Sequence, residues 1–500
     1  LGEPDSDDTA GSAKSRMPTD RLFRNDLVVS EDGAGSLNFT DITEQAGIVG
    51  DGYGLGVAAG DINNDGWIDL FVANFGTNQL LLNNGNGTFS DVSERIPHDL
   101  GRWSTSAALV DYDRDGWLDL FICNYTVFNL AISKTCYAPG GSLDYCGPQV
   151  YTPEKDRLLR NRGDGTFEDV SGISNIGRED GPALGVVCAD YDGDGWIDIY
   201  VANDGADNHL WMNQQDGRFR NMAHISGCAC NNAGLAEASM GVDAADFDAD
   251  GDEDLFMTHL RNEKNTLYVN DGNGLFSDLT AQMGLDSPSR QYTSFGTAWL
   301  DYDNDSWLDL FIANGAVKQV ESLALQGDPY PYHQPNQLFR NLGDGKFEET
   351  TSGDAFTVSE VSRGAAFGDV DNDGDTDVLV LNNNGRARLL LNGVGNRQSW
   401  MGLRIVDASG KRDMLGARVA VHRPGHPTIW RRVRADASYC AANDPRVLVG
   451  LGNATEIAAV EVHWPDGSRE QWTDLPVKEY TTIRQGTGTP RVADAQTGTH

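Results

Sequence analysis

The stretch "DYDRDGWLDLFICNY", Asp111 to Tyr125, places four aspartates within nine residues and then turns abruptly apolar. Like charges this close repel one another, so their concentration just before a strand needs a physical reason. Repetition supplies it. "DINNDGWID" begins at Asp61, "DYDGDGWID" at Asp190, "DFDADGDED" at Asp246, "DYDNDSWLD" at Asp301 and "DVDNDGDTD" at Asp369. With Asp111, six phrases fit D-x-[DN]-x-D-[GS]-x-x-D. Their starts lie 50, 79, 56, 55 and 68 residues apart, a spacing on the scale of propeller repeats.

A run of small residues such as "GVAAG" or "GAAFG" precedes each acidic phrase, and an alternating apolar strand such as "LFVAN" or "IYVAN" follows it. Next comes a second phrase, for example "NQLLLNNGNGTFSDVS", "DRLLRNRGDGTFEDVS" or "NTLYVNDGNGLFSDLT": a strand, a Gly/Asn/Asp hairpin turn and another strand. One unit is thus four short antiparallel strands, the anatomy of a propeller blade. No segment holds a 3.6-residue apolar period, which excludes a helical solenoid. The acidic half occurs six times. The second half occurs seven times when "DRLFRNDLVVSEDGAGSLNFTDIT" and "ARLLLNGVGN" are included. Residues 20–43 therefore read as the back of a blade without its front. Two rings are expected from this count: six blades with an extra strand, or seven with one incomplete. "FTDIT", Phe39 to Thr43, is the candidate closing strand. An incomplete blade exposes a strand edge, so self-association through this orphan half-blade is one expectation.

In a loop of this template the first, third, fifth and ninth side chains can converge on one point, while glycine at the sixth position permits the sharp turn. Four hard oxygens match Ca²⁺ better than Zn²⁺ or Cu²⁺. The predicted ligands are Asp61, Asn63, Asp65 and Asp69; Asp111, Asp113, Asp115 and Asp119; Asp190, Asp192, Asp194 and Asp198; Asp246, Asp248, Asp250 and Asp254; Asp301, Asp303, Asp305 and Asp309; and Asp369, Asp371, Asp373 and Asp377. About six Ca²⁺ per chain are expected, and folding should be linked to their binding. Two loops depart from the template: Ser306 stands at a glycine position, and Asn63 removes one charge.

The chain has 500 residues, 75 Asp and Glu against 38 Lys and Arg, and a formal charge of −37. Six divalent ions would bring this to about −25. Such a chain is repelled by nucleic acid, and no apolar run is long enough to span a membrane. Of seven cysteines, Cys136 and Cys146 flank "CYAPGGSLDYC" and are expected to form a disulfide; Cys123 and Cys188 read as buried thiols, and Cys228 and Cys230 form a close pair. Trp67, Trp117, Trp196 and Trp307 hold the seventh position of four loops, where interblade packing is favoured over a sugar-stacking ring. "RGD" at Arg162 to Asp164 falls on a hairpin turn shared by sister repeats. No His lies in a recognisable nucleophile motif, and the paired carboxylates are committed to metal, so no catalytic residue is assigned.

These loops, with "FVANFGTNQ" and its counterparts, resemble FG-GAP or VCBS repeats. Residues from about 400 to 485 add "LGARVAVHRPG", "ASYCAANDPRVLVGLG" and "VEVHWPDGS", which resemble the ASPIC/UnbV module. The order of modules is that of the cartilage acidic protein 1 family, and the insertion "CYAPGGSLDYCGPQVYTPEKDRLLRN" resembles its bacterial-type branch. The resemblance implies a usually seven-bladed propeller with calcium in its blade loops, secretion, and a binding or adhesion role without established catalysis. This chain departs from it in having six acidic loops and Cys440 where the module more often has an apolar residue.

The resulting expectation is an all-β protein: a flexible segment 1–19, a six- or seven-bladed β-propeller over 20–398, a small C-terminal β-domain over 399–485 and a flexible tail 486–500. It is expected outside the cell, or at the surface or in the periplasm of a bacterium, with an unidentified protein or glycan ligand. Calcium-dependent carbohydrate binding is the alternative, and a propeller lyase or hydrolase a third reading.

Overall fold

The computed structural model describes residues 20–29, 35–50, 52–97, 102–137, 141, 143–351, 353–454 and 456–491. The expected flexible segment 1–19 lies outside them.

Six units repeat in order. Unit 1 is Tyr53–Gly60, Asp69–Gly76, Gln79–Asn83 and Phe89–Asp91; unit 2 is Arg102–Val110, Asp119–Asn124, Arg157–Asn161 and Phe167–Asp169. Unit 3 is Ala183–Ala189, Asp198–Asn203, His209–Asn213 and Phe219–Asn221; unit 4 is Val242–Ala245, Asp254–Met257, Thr266–Asn270 and Phe276–Asp278. Unit 5 is Ser294–Leu300, Asp309–Asn314, Gln337–Asn341 and Phe347–Thr350, and unit 6 is Ser362–Gly368, Asp377–Asn382 and Arg388–Leu390. Pairing is antiparallel throughout each unit. The first strands neighbour one another in series from unit 1 to unit 6, so the units radiate from a common centre as in a β-propeller.

The alternation read in the sequence explains the packing. Successive side chains of a strand point to opposite faces. In "LFIC", Leu120 and Ile122 pack with Phe71 and Leu80 of unit 1, while Phe121 and Cys123 pack with Val186 and Val201 of unit 3. Comparable cores lie between units 3 and 4, 4 and 5, and 5 and 6. Each fully buried Leu, Ile or Phe contributes about 1.5–3 kcal/mol, and stability accrues interface by interface.

The expectation about ring closure is corrected. "FTDIT" does not complete unit 6: Phe39–Asp41 pairs with Phe23–Asn25, in the register Phe23↔Asp41. That local pairing closes a short loop and is held by Arg21 to Asp41 at 2.7 Å. Unit 6 itself keeps three strands because the chain after Asn392 enters Ser399–Val406, which pairs within the C-terminal module.

The module has two sheets. Ser399–Val406 lies between Val447–Gly452 and Tyr480–Arg484, and Ile429–Arg432, Arg418–His422, Ala459–His463 and Arg469–Trp472 form the second sheet. Their facing sides share a core of Met401, Leu403, Val419, Val421, Val449, Val460 and Trp464. Thr489–Pro490 adds an edge strand opposite Glu470 and Gln471. The described part of the expected tail, residues 486–491, therefore belongs to this sheet, and the remainder lies outside the described residues.

The spacings of 79 and 68 residues have a structural cause. Units 2 and 5 carry long insertions between their second and third strands, on the ring face opposite the acidic loops. In unit 2 the insertion is stapled by the Cys136–Cys146 disulfide. It reaches across to unit 5, where Lys318 donates to the Tyr145 carbonyl and the Tyr145 and Tyr332 rings lie 5.9 Å apart.

Candidate metal centres and the face that covers them

Each acidic loop joins the first and second strands of its unit, so all six lie on one face of the ring. Their backbones agree. The fourth residue has positive φ in every loop, and so does the sixth, from 87° at Gly116 to 102° at Gly251. Glycine tolerates that conformation best. At Gly374 it is also required by space, because a Cβ would fall 1.8 Å from the Trp400 ring. Ser306 adopts φ 89° and its hydroxyl accepts a 2.6 Å hydrogen bond from Arg423 of the module.

Backbone amides fix the carboxylates. The first aspartate of each loop accepts from the sixth residue's N–H, at 2.7 Å for Asp61 and 3.1 Å for Asp111. The ninth accepts from the backbone N–H of the asparagine at or just after the end of the third strand: Asn83 to Asp69, Asn161 to Asp119, Asn213 to Asp198, Asn270 to Asp254, Asn341 to Asp309 and Asn392 to Asp377, all at 2.7–2.9 Å. The ninth carboxylate thus clamps the unit together as well as belonging to the loop.

Oxygen atoms of Asp111, Asp113 and Asp115 come within 4.8 Å of one another, as do those of Asp190, Asp192 and Asp194, and of Asp246, Asp248 and Asp250. In loops five and six the groups are Asp301, Asp303 and Asp309, and Asp369, Asp371 and Asp377. There the fifth carboxylates are engaged elsewhere: Asp305 with Arg340 at 2.9 Å and Asp373 with Asn396 at 2.5 Å. In loop two Arg160 likewise approaches Asp113 at 2.9 Å. The first loop differs. Asn63 donates to Asp65 at 3.0 Å, and Asp61, Asn63, Asp65 and Asp69 form no such carboxylate triad among the described residues.

These groups fit a cation. Buried carboxylate oxygens of Asp111, Asp190, Asp248, Asp301 and Asp371 have no hydrogen-bond donor, and a buried anionic oxygen without a partner is costly. Burial first, and then repulsion among the neighbouring aspartates, pushes Asp111 and Asp190 up to about 6, Asp246 to about 7 and Asp301 to about 8, against the opposing pull of nearby arginines. Burial holds Asp119, Asp198, Asp254 and Asp309 well above the carboxylate range. The all-oxygen donor set is that of a hard cation such as Ca²⁺. Among the described residues the four loop tryptophans form no exposed ring: Trp67 is 51% exposed, and Trp117, Trp196 and Trp307 are half-buried. Trp67, Trp117 and Trp307 cover the hairpin glycines of their own units, Gly85, Gly163 and Gly343, a packing within the unit that the sequence did not suggest. Trp196, whose hairpin lacks that glycine, lies under Arg114 of unit 2. The RGD tripeptide sits on its hairpin turn, with Arg162 3.1 Å from Glu168.

The module sits over this acidic face. Arg412 donates to Gly116 at 2.7 Å, Arg418 to Gly251, Arg423 to Ser306, and Arg446 to Asn372 at 2.7 Å. Each cation reaches a different loop. Two buried ion pairs fasten the centre: Arg432 with Glu253 at 3.0 Å, and Arg434 with Asp243. From there "ADASYCAAND" enters the middle of the ring. Asp436 accepts from Cys188 N–H at 2.6 Å, Ser438 exchanges backbone hydrogen bonds with Val242 and donates to Ala365 at 2.7 Å, and Cys440 N–H donates to Ser106 at 3.0 Å. Units 2, 3, 4 and 6 are thereby tied to one segment, and Cys440 is a half-buried contact in the ring centre. Of these docking residues only Cys440 was singled out from sequence, as a departure from the module's pattern and without a role. The available signal was the small-residue first strands, whose glycines leave little room: a Cβ at Gly56 would lie 2.0 Å from the Thr105 carbonyl and 3.3 Å from Cys440 Cα.

Comparison with known proteins agrees with this two-part organisation. A family model described as "FG-GAP-like repeat" matches residues 61–122, 141–201, 190–257, 246–312 and 323–380, and one described as "ASPIC and UnbV" matches 407–490. Cartilage acidic protein 1 of Homo sapiens is 28% identical over 282 residues, covering 54% of this chain and 39% of that protein. The Mus musculus protein is 28% identical over 281 residues, covering 54% and 40%. The chain thus spans about two fifths of the length of these relatives. Among solved structures, an Agrocybe aegerita lectin that recognises non-reducing terminal N-acetylglucosamine aligns with TM-score 0.40 and 16% identity, covering 72% of this chain and 88% of that one. A Bacillus licheniformis rhamnogalacturonan lyase aligns with TM-score 0.31 and 10% identity, covering 74% and 75%. The repeats, covering more than half of the sequence, and the module that follows them place the chain in the FG-GAP-like repeat family, with a C-terminal ASPIC and UnbV domain.

Proposed function

We propose that the protein is a secreted calcium-binding propeller that acts by holding other molecules and not by catalysis. The carrying observation is the set of five carboxylate triads with buried, donorless oxygens on one face of the ring. Asp111, Asp113 and Asp115, and their counterparts, would hold Ca²⁺, which would neutralise the repulsion that otherwise opposes folding. The disulfide supports an oxidising compartment. Interaction is favoured over turnover because the ring centre is filled by residues 436–443 from one face and the two insertions meet across the other.

Native mass spectrometry in calcium, with melting curves in calcium and in chelator, tests this. Five or six bound ions, a melting temperature at least about 10 °C lower in chelator, and one ion fewer in Asp301→Ala are the expected results. A chain that binds no ion and melts unchanged in chelator overturns the reading.

A further inference from the structure

The ring has an open side, and the repeat itself specifies what fits there. The two-stranded piece Phe23–Asn25 and Phe39–Asp41 occupies the place that a following unit would take beside unit 6. In units 2 to 6, the asparagine at or just after the end of the third strand donates through its side chain to the second residue of the preceding unit's loop: Asn161 to Ile62, Asn213 to Tyr112, Asn270 to Tyr191, Asn341 to Phe247 and Asn392 to Tyr302, at 2.8–3.2 Å. Asn25 donates to Val370 of unit 6 in the same way, at 2.6 Å. On its other side the piece abuts unit 1, where a Cβ on Gly54 would meet the Asp20 carboxylate. The third and fourth strands of a unit are thus in position, and the first and second are not.

Apolar groups that would contact those two strands are left exposed. Phe23 is 52% exposed, whereas its equivalent in unit 2, Leu159, is 0% exposed. On the facing side of unit 6, Leu379 and Leu381 are 41% and 53% exposed, against 0% for Phe121 and Cys123 at the same register in unit 2. The Asn25 N–H has no ninth aspartate to bond. Arg24 stands where Arg160 and Arg340 hold the third or fifth carboxylates of their loops, and it pairs with Asp26 at 2.6 Å. A cleft of about 460 Å³ lies here, lined by Asn25, Ala366, Phe367, Val370 and Leu379 among others.

We infer that this gap is a docking site for a β-hairpin supplied by a partner polypeptide, with the chemistry of the repeat's own first half. Its features are a strand of small residues, an acidic D-x-D-x-D-G turn and an alternating apolar strand. Three observations carry this choice: the gap continues the five existing unit–unit interfaces, its apolar side chains stand in their register, and Arg24 is a cation where an acidic loop belongs. The apolar strand would pair with Phe23–Asn25 by strand addition and cover Leu379 and Leu381, and the turn would meet Arg24. This deepens the interaction reading above by naming where and what kind of segment is held.

The test uses the full chain in calcium and a synthetic peptide copying residues 362–382, with calcium stoichiometry measured in the same sample so that failure of the metal reading is seen separately. Saturable one-to-one binding, slowed amide exchange over Phe23–Asn25, and a Kd raised at least about tenfold by Phe23→Asp or Leu379→Asp are the expected results. Both side chains are exposed, so both variants should fold, and their melting curves check this. A calcium-loaded chain that ignores the peptide, or binds it equally well with both substitutions, overturns the inference. So does a chain that dimerises with Phe23 and Leu379 protected before peptide is added, since the occupant would then be a second copy.

Discussion

The propeller units and the C-terminal module carry opposite charge to their common boundary and arrive at it by different routes. In the units, aspartates sit at fixed places in a loop repeated six times, each held by the same backbone amides. In the module, Arg412, Arg418, Arg423, Arg434 and Arg446 come from different strands and turns, yet each finds a separate position on the acidic face. A repeat brings its own symmetry, and a single domain docking on it must meet that symmetry with residues that share none. The consequence is that loss of one loop should be a local injury, whereas loss of a central docking residue should loosen several units together.

The strongest way to break this comparison is at the buried ion pair. Arg434→Met leaves the fully buried Asp243 without its cation and should cost about 3–5 kcal/mol, seen in urea unfolding as earlier release of the module. Asp243→Leu combined with Arg434→Met should recover much of that loss, and a double variant no better than the single one would show that the pair matters only through shape. A smaller effect is expected at the module's entrance. Gly374→Ala combines a strained φ of 95° with overlap on Trp400 and should cost about 2–3 kcal/mol, while Ser306→Gly should lie near neutrality, exchanging backbone relief for the Arg423 hydrogen bond. Equal effects at the two positions would contradict the distinction.

The smallest effect sharpens the comparison within the repeat. Asp156 accepts from Asn124 N–H at 2.9 Å, where units 1, 3, 4 and 5 use Asn78, Asn208, Asn265 and Asn336 for the same bond. Burial pushes the Asp156 carboxyl up to about 8. Its pKa rises on folding, so its charged form opposes folding. That penalty is absent below the ordinary value near 3.8, grows as pH rises and is complete above about 8. Asp156→Asn should therefore stabilise the protein by about 1–2 kcal/mol at pH 8.5 and by little at pH 5. A gain independent of pH would assign the effect to something other than the buried charge.

Much of the architecture was legible because repetition multiplies a weak local signal. One D-x-D-x-D-G phrase is an acidic turn; six in register, each followed by an alternating strand, define a blade and the face on which its loops gather. The small residues of the first strands were visible too, but without the segment that packs beside them they read only as tight turns and close strands. The first loop shows the limit on the metal side. Asn63 was seen to remove a charge, and the structure adds that its amide turns inward to bond Asp65.

By itself, the sequence determined the all-β class, the units, the disulfide and the order of propeller and module, since these follow from periodicities and turn residues close together along the chain. Only the tertiary structure decided where "FTDIT" pairs, why unit 6 ends with three strands, which arginines face which loop and how "ADASYCAAND" fills the ring centre. Those facts depend on contacts between residues as far apart as Ser106 and Cys440. No periodicity encodes such contacts, because they are fixed by the space the completed units leave and by the charge they present.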